Sequence, residues 1–147
     1  MKAIVIYKAG DAQQLQLEER PIPTLKEGWT LVKIKGFGIN RSEIFTRQGH
    51  SPSVVFPRIL GIECVGVVEA TTCPTLQKGQ TVVSLMGEMG RAFDGSYAEK
   101  ITQLFAYIDE HNVPVASEKV FALEEIVAAH QYVESSAGYG KVVVRIN

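Results

Sequence analysis

The sequence predicts a mainly β domain with helices toward its C-terminus, an α+β fold arranged as a barrel or a sandwich. Three observations lead to this class. The first two thirds consist of short apolar or alternating segments separated by glycine and proline, as in all-β domains. Helical spacing of apolar residues appears only in the last third. With 147 residues, 46% of them hydrophobic and 21% charged, the chain can form one packed core.

The first two thirds predict six strands. The segment 3–7 is compact and rich in β-branched residues, which favour strands. The segment 30–40 alternates apolar residues with lysine, so one of its faces is buried and the other is exposed to water. A glycine-containing turn separates the two strands that follow. The predicted strands are 3–7, 15–23, 30–40, 63–70, 80–85 and 95–102.

The last third predicts two helices, an extended segment and a closing strand. Residues 103–112 predict a short helix, with Leu104 and Ile108 on its apolar face, and 113–121 predict an extended segment. Residues 122–136 predict the second helix, spanning about Leu123 to Ser135, because apolar residues recur there at helical spacing. Residues 141–146 then predict a strand that belongs to the same sheet system as the N-terminal strand.

Charge and special residues exclude several classes of function. A net charge of −1 offers no basic face for nucleic acid, and no apolar run approaches the length of a membrane span. We therefore expect a cytoplasmic protein without nucleic-acid or membrane partners. Cys64 and Cys73 lack the spacing of a metal site or redox motif and are expected to be packing thiols. His50, His111 and His130 form no metal-binding pair.

Four segments occur in an order that resembles a known superfamily. They are GINRSEIFTRQG (38–49), FPRILGIECVGVV (56–68), DGSYAEKI (94–101) and FALEEIVAAHQYVESSAGYGKVVVRI (121–146). Together they resemble the medium-chain dehydrogenase/reductase superfamily, and most closely its zinc-independent quinone oxidoreductase branch. The resemblance covers nearly the whole chain, and the order of the four segments makes it specific. It implies a partly open, GroES-like β-barrel.

The resemblance also implies a second domain that this sequence lacks. Members of the superfamily carry a Rossmann cofactor domain between the two parts of the GroES-like domain. Here no glycine-rich turn opens a helix after a strand, and no series of alternating strands and helices occurs. We expect a single domain, with 1–102 as its N-terminal part, 103–147 as its C-terminal return, and the cofactor domain deleted near 102/103.

The resemblance further implies that the catalytic zinc of related enzymes is lost. In the zinc-dependent relatives a ligating cysteine stands where this chain has Asn40, and a ligating histidine stands where it has Ile62. A neutral amide is a poor zinc ligand and isoleucine is none. We expect no zinc and no other metal.

The segment Asn40-Arg41-Ser42-Glu43 is the candidate site. By resemblance, Asn40 hydrogen-bonds near the nicotinamide and the substrate carbonyl, Arg41 faces the cofactor pyrophosphate, and Ser42 stands where relatives often carry a proton-relay hydroxyl. The same residues have a structural reading: Asn40 as a turn residue, Ser42 as a helix N-cap, and Glu43 as a first-turn carboxylate. Glu43 replaces the usual aspartate of the family.

Glu63 is a carboxylate in an apolar strand, where it needs a partner or a pocket. By resemblance it lies near the active site, and Arg47 and Arg58 are its candidate partners. A structural ion pair within the barrel is the alternative reading. Glu43 and Glu63 are therefore candidates for either the substrate pocket or the scaffold.

The resemblance implies that the intact enzyme transfers a hydride from NADPH to a quinone or an enone, with small-molecule carbonyls as its partners. A homo-oligomer is one assembly that it allows. This chain alone is expected to bind no cofactor and to be inactive. The alternative is a GroES-like binding or scaffold module without catalysis.

Overall fold

The computed structural model describes residues 1–103, 117–135 and 140–146. These residues contain nine strands and two α-helices, which we number in chain order. The strands are β1 (Lys2–Ile6), β2 (Gln16–Glu19), β3 (Thr30–Gly38), β4 (Arg58–Ile59), β5 (Glu63–Thr71), β6 (Thr81–Leu85), β7 (Lys100–Gln103), β8 (Ser117–Ala122) and β9 (Lys141–Arg145); the helices are α1 (Arg41–Arg47) and α2 (Ile126–Glu134).

Two sheets form the domain. One has three strands in the order β2-β1-β4, and the other has six, in the order β6-β5-β3-β9-β8 with β7 also paired to β3. All pairs are antiparallel except β8 and β9, which are parallel. A hydrogen bond of 2.7 Å from the Ile4 N–H to the Tyr97 carbonyl joins β1 to the chain leading into β7. The predicted α+β class is confirmed.

The core lies between the sheets and α2. Strand β3 contributes Val32 and Ile34 from its buried face, while Lys33 and Lys35 on the other face are exposed. Helix α2 buries Ile126, Ala129 and His130 against it. The strong contrast between the two faces fixes the register of β3, because a slip by one residue would expose the apolar set.

The first two thirds follow the predicted pattern with several differences. The predicted strand 15–23 is limited to Gln16–Glu19 in β2. The predicted strand 95–102 is reduced to β7, because the chain before it makes irregular hydrogen bonds. The Gly95 N–H donates to Ile59 and the Tyr97 N–H to Leu60, at 2.8 and 2.9 Å. Helix α1 was implied only by the alternative reading of Ser42 and Glu43 as a helix start, and the short strand β4 was not predicted.

The last third confirms the second helix and the closing strand, although β9 lies in the six-stranded sheet and the N-terminal strand β1 in the three-stranded one. The helical segment starts as a 3₁₀ turn at Leu123–Glu125 and continues as α2 to Glu134. The predicted helix 103–112 is wrong at Gln103, which lies in β7, and its remainder, with His111, lies outside the described residues. Of the predicted extended segment, 117–121 is confirmed in β8, and 113–116 also lies outside them. Among the described residues, no helix is long and apolar enough to cross a membrane.

Candidate active site

Asn40 connects the end of β3 to α1 and is the N-cap residue of that helix. Its backbone N–H donates to Glu43 Oε2 at 2.5 Å, whereas its side chain makes no cap hydrogen bond. The structural reading of Glu43 as a first-turn carboxylate is confirmed. The alternative role of Ser42 as the N-cap is wrong, because Ser42 lies inside the helix. The Asn40 amide is left for contacts outside α1.

Those contacts form a cluster of three side chains, Asn40, Glu63 and Lys141, which we call the polar cluster. Asn40 Nδ2 donates to Glu63 Oε1 at 3.2 Å, and Lys141 Nζ donates to Asn40 Oδ1 at 2.9 Å. Lys141 also forms an ion pair with Glu63. The cluster therefore joins the end of β3, the start of β5 and the start of β9.

Arg47 and Arg58 are not the partners of Glu63, so this expectation is wrong. Arg47 is fully buried, forms an ion pair with Glu134 and donates to the Gly10 carbonyl at 2.6 Å. Arg58 pairs with Asp94 at 3.3 Å. Sequence reasoning missed Lys141, because both of its contacts are far away along the chain, Asn40 by 101 residues.

Arg41 and Ser42 are exposed on the first turn of α1, directly after Asn40. Their exposure leaves both side chains accessible to a ligand that approaches the polar cluster. Ser42 also uses its carbonyl to accept a hydrogen bond of 2.9 Å from Thr46 Oγ1, which secures the middle of the short helix. The structure thus places four of the predicted site residues, Asn40 to Glu43, at one end of α1.

Glu43 points away from solvent, with 2% of its surface exposed. Its Oε1 accepts from the Ile62 N–H at 2.9 Å, which ties α1 to the chain before β5. Burial raises the pKa of Glu43 to about 7, although the hydrogen bonds from the Asn40 and Ile62 backbone oppose that shift. Glu43 is therefore a buried contact between α1 and the sheet and does not line an open pocket.

A buried tyrosine and histidine lie in the interior near Glu43. Tyr97 stacks on Phe37 with ring centroids 4.6 Å apart, and its hydroxyl is 3.0 Å from His130 Nε2. Burial, followed by the charge of Glu43, raises the pKa of Tyr97 well above its ordinary value. Burial lowers the pKa of His130 to about 3, so its imidazole is neutral near pH 7.

The raised pKa of Glu43 predicts a pH-dependent stability. Between the ordinary pKa of about 4.5 and the folded value of about 7, the folded state holds a proton that the unfolded state has lost. The contribution of Glu43 to the free energy of unfolding should therefore fall as pH rises through this window, by about 3 kcal/mol in total, while the lowered pKa of His130 acts in the opposite direction. Glu43→Gln is neutral at every pH and should lack this contribution to the pH dependence of the free energy of unfolding. Urea unfolding at a series of pH values measures the difference from the wild type.

His130 contributes equally to the pH dependence of the free energy of unfolding in the wild type and in Glu43→Gln. Its contribution therefore cancels when the two proteins are compared. Glu27→Gln, which changes an exposed carboxylate, is the matched control and should keep the wild-type slope. An unchanged slope in Glu43→Gln would contradict the assignment.

The donor atoms of the polar cluster do not suit zinc. The cluster offers an amide, a single carboxylate and a cationic amine, and zinc prefers thiolate and imidazole. Within the described parts of the chain, no three His, Cys, Asp or Glu side chains come together as a metal site. Cys64 is buried and Cys73 partly buried, and neither is in a disulfide.

We predict that the purified protein contains no stoichiometric zinc. Elemental analysis after treatment with a chelator should find far less than one zinc ion per chain, because the two expected ligand positions hold Asn40 and Ile62. One zinc per chain that survives chelation would show that another set of ligands forms a site.

Comparison with known families identifies the domain. Residues 26–112, more than half of the chain, match the alcohol dehydrogenase GroES-like domain family. The chain belongs to this family. A curated relative, the quinone oxidoreductase of Pongo abelii, is 27% identical over 124 residues, which cover 82% of this chain and 35% of the relative. The chain spans 17% to 35% of the length of curated relatives that it matches.

Solved structures have the same fold. The quinone oxidoreductase from Coxiella burnetii matches with a TM-score of 0.87 and 12% identity, covering 100% of this chain and 99% of that one. A mycobacterial protein solved in complex with NADPH matches with a TM-score of 0.61 and 30% identity, covering 71% of this chain and 31% of that one. These matches place the chain in the medium-chain dehydrogenase/reductase superfamily, as its motifs indicated.

Proposed function

We propose that this chain is the catalytic domain of a zinc-independent, NADPH-dependent reductase of quinones or enones, and that it is inactive without a cofactor domain. The observation that carries the proposal is the polar cluster. By the resemblance, its Asn40 stands where the zinc-dependent relatives carry a ligating cysteine, so that a hydrogen-bond donor takes the place of that ligand. Relatives named quinone oxidoreductase and a similar structure bound to NADPH support the same reaction class.

The residues present fit only one end of a dinucleotide cofactor. The accessible side chains of Arg41 and Ser42 beside the polar cluster suit the reacting end and part of the pyrophosphate. Among the described residues no doubly wound parallel sheet is found, which is the architecture that holds most dinucleotides. The second half of the site would come from a cofactor domain joined between Thr102 and Gln103, at the end of β7.

In the proposed mechanism, the bound cofactor supplies a hydride to the acceptor, and the chain holds the acceptor in the position and orientation that hydride transfer requires. Asn40 has one Nδ2 proton left after its bond to Glu63, and this proton is available to the acceptor oxygen. Ser42 would relay a proton from solvent. Arg41 would bind the cofactor pyrophosphate through its guanidinium.

The second candidate function is a GroES-like module that binds or supports another protein without catalysis. One observation favours it: the described residues provide no cofactor-binding sheet. A family cofactor domain inserted after Thr102 distinguishes the two functions, because only a catalytic domain would then reduce a quinone.

Asn40→Ala in the enzyme restored in this way tests the proposed role. The turnover number should fall by about a hundredfold to a thousandfold, the cost of losing one donor to a developing oxyanion. The dissociation constant for NADPH should stay nearly unchanged, because Asn40 contacts the acceptor rather than the nucleotide. Gln48→Ala, which removes an exposed amide at the other end of α1, is the control and should keep full turnover. A loss of NADPH affinity with unchanged turnover would contradict this role.

A further inference from the structure

Lys141 is the only cation of the polar cluster, and no motif of the sequence pointed to it. It is the first residue of β9, and because β9 pairs with the last residues of β3, Lys141 lies near the end of β3. Its ammonium group contacts both Asn40 and Glu63. Lys141 therefore brings a charged group from the C-terminal part of the chain into the polar cluster.

Counting donors shows what each member of the polar cluster has left. The Asn40 carbonyl oxygen accepts from Lys141, and one Asn40 Nδ2 proton goes to Glu63. A lysine ammonium has three protons, and the two contacts use two of them. One charged N–H therefore remains beside the one neutral N–H of Asn40. A charged donor forms a hydrogen bond roughly twice as strong as a neutral one.

A glycine provides the space for this ammonium. A Cβ on Gly38 would collide with Glu63 Oε1 and with Lys141 Cε, so both side chains lie directly over the bare backbone of β3. The Lys141 side chain is 33% exposed and that of Glu63 is 21% exposed. The Lys141 side chain thus packs on the backbone at Gly38 on one side and is exposed to solvent on the other.

We propose that Lys141 is a catalytic residue that donates its remaining N–H to the acceptor oxygen as negative charge develops there. The proposal rests on the reductase function proposed above. In that reaction the hydride bonds to an acceptor carbon, the π electrons move to the oxygen, the cofactor is oxidised, and solvent supplies the proton. Lys141 stabilises the resulting oxyanion, which is the task of zinc in metal-dependent enzymes.

Asn40 and Glu63 act in part through Lys141. Glu63 supplies the countercharge that holds the ammonium, and the Asn40 carbonyl oxygen fixes its direction. Lysine at the acceptor oxygen favours products that carry charge on oxygen, such as a hydroquinone anion or an enolate. The site should therefore bind phenolate-like anions even when no cofactor is present.

The test uses the chain as it is, titrated with 4-nitrophenolate at mildly alkaline pH and followed by NMR of the lysine ammonium and backbone amide groups. Shifts should concentrate on Lys141 and Asn40, with a dissociation constant on the order of millimolar. Lys141→Met leaves Glu63 unpaired, and that charge would itself repel the anion. The decisive comparison is therefore the Lys141→Met/Glu63→Gln double variant against Glu63→Gln alone.

The double variant should bind the anion at least about tenfold more weakly than Glu63→Gln. Lys141→Arg should retain most of the binding, and Lys33→Met, which removes an exposed lysine of β3, should bind as the wild type does. Equal affinity of the double variant and Glu63→Gln would overturn the proposal, as would wild-type shifts that avoid Lys141. The titration needs no cofactor, so an inactive restored enzyme would refute the reductase function without altering this result.

Discussion

Inserting a family cofactor domain between Thr102 and Gln103 is expected to raise the affinity for NADPH by about a thousandfold or more, from millimolar or weaker to micromolar. In the proposed function, Arg41 is the one charged contact that the chain makes to the pyrophosphate. One such hydrogen bond contributes about 1.5 to 3 kcal/mol. Micromolar binding requires about 8 kcal/mol. In this superfamily the remainder comes from a helix N-terminus that holds the pyrophosphate and from side chains that read the ribose.

Titration calorimetry of both proteins measures this difference. Arg41→Ala in the restored enzyme should weaken binding by about tenfold to a hundredfold, whereas Arg91→Ala, a change at an arginine in the loop before β7, should leave it unchanged. A micromolar NADPH site on the chain alone would contradict the account, because it would mean that the described domain itself holds the nucleotide.

Tyr97→Ala is expected to lower the free energy of unfolding by about 3 to 5 kcal/mol, the range for removing a buried aromatic side chain. Tyr97 is fully buried and stacks on Phe37. The change would also remove the partner of His130 Nε2, and His130 Nδ1 already has no hydrogen-bond partner among the described residues. A buried imidazole without any partner costs further stability.

Tyr97→Phe separates the hydroxyl from the ring. It should cost about 1 to 3 kcal/mol, because the ring stays packed while His130 loses its contact. The matched control is Tyr7→Phe. It removes a hydroxyl that is 3.0 Å from Glu18 on an exposed residue and should cost less than about 0.5 kcal/mol. Urea unfolding measures all three variants, and equal losses for Tyr97→Phe and Tyr7→Phe would show that the buried pair contributes nothing.

The sequence predicted the strands because their signal is local. Alternation in β3 and the β-branched run in β1 each fix a buried face without reference to the rest of the chain. The strand before β7 failed because Gly95 and Tyr97 donate their backbone hydrogen bonds to residues 59 and 60, a long-range arrangement that no local pattern reveals. Helix α1 is only seven residues long, too short for helical periodicity to be recognised.

The candidate site was predicted only in part, because its local segment can be recognised in the sequence and its long-range contacts cannot. The segment after β3 stood out as a run of polar side chains, and the structure places Asn40 beside Glu63, a contact that the sequence did not predict. Lys141 follows a glycine at the start of an ordinary strand, and its position depends on β9 pairing with β3. The sequence likewise gave no sign that His130 would meet Tyr97, since one lies on a helix and the other in an irregular segment.

The most direct test of the central claim is a spectrophotometric assay of NADPH oxidation with a quinone as acceptor. The account predicts no oxidation by the chain alone, quinone-dependent oxidation by the enzyme with its cofactor domain restored after Thr102, and a large loss of turnover when Asn40→Ala is introduced into it. A restored enzyme that binds NADPH tightly but leaves quinone unreduced would contradict the claim and favour a non-catalytic GroES-like module.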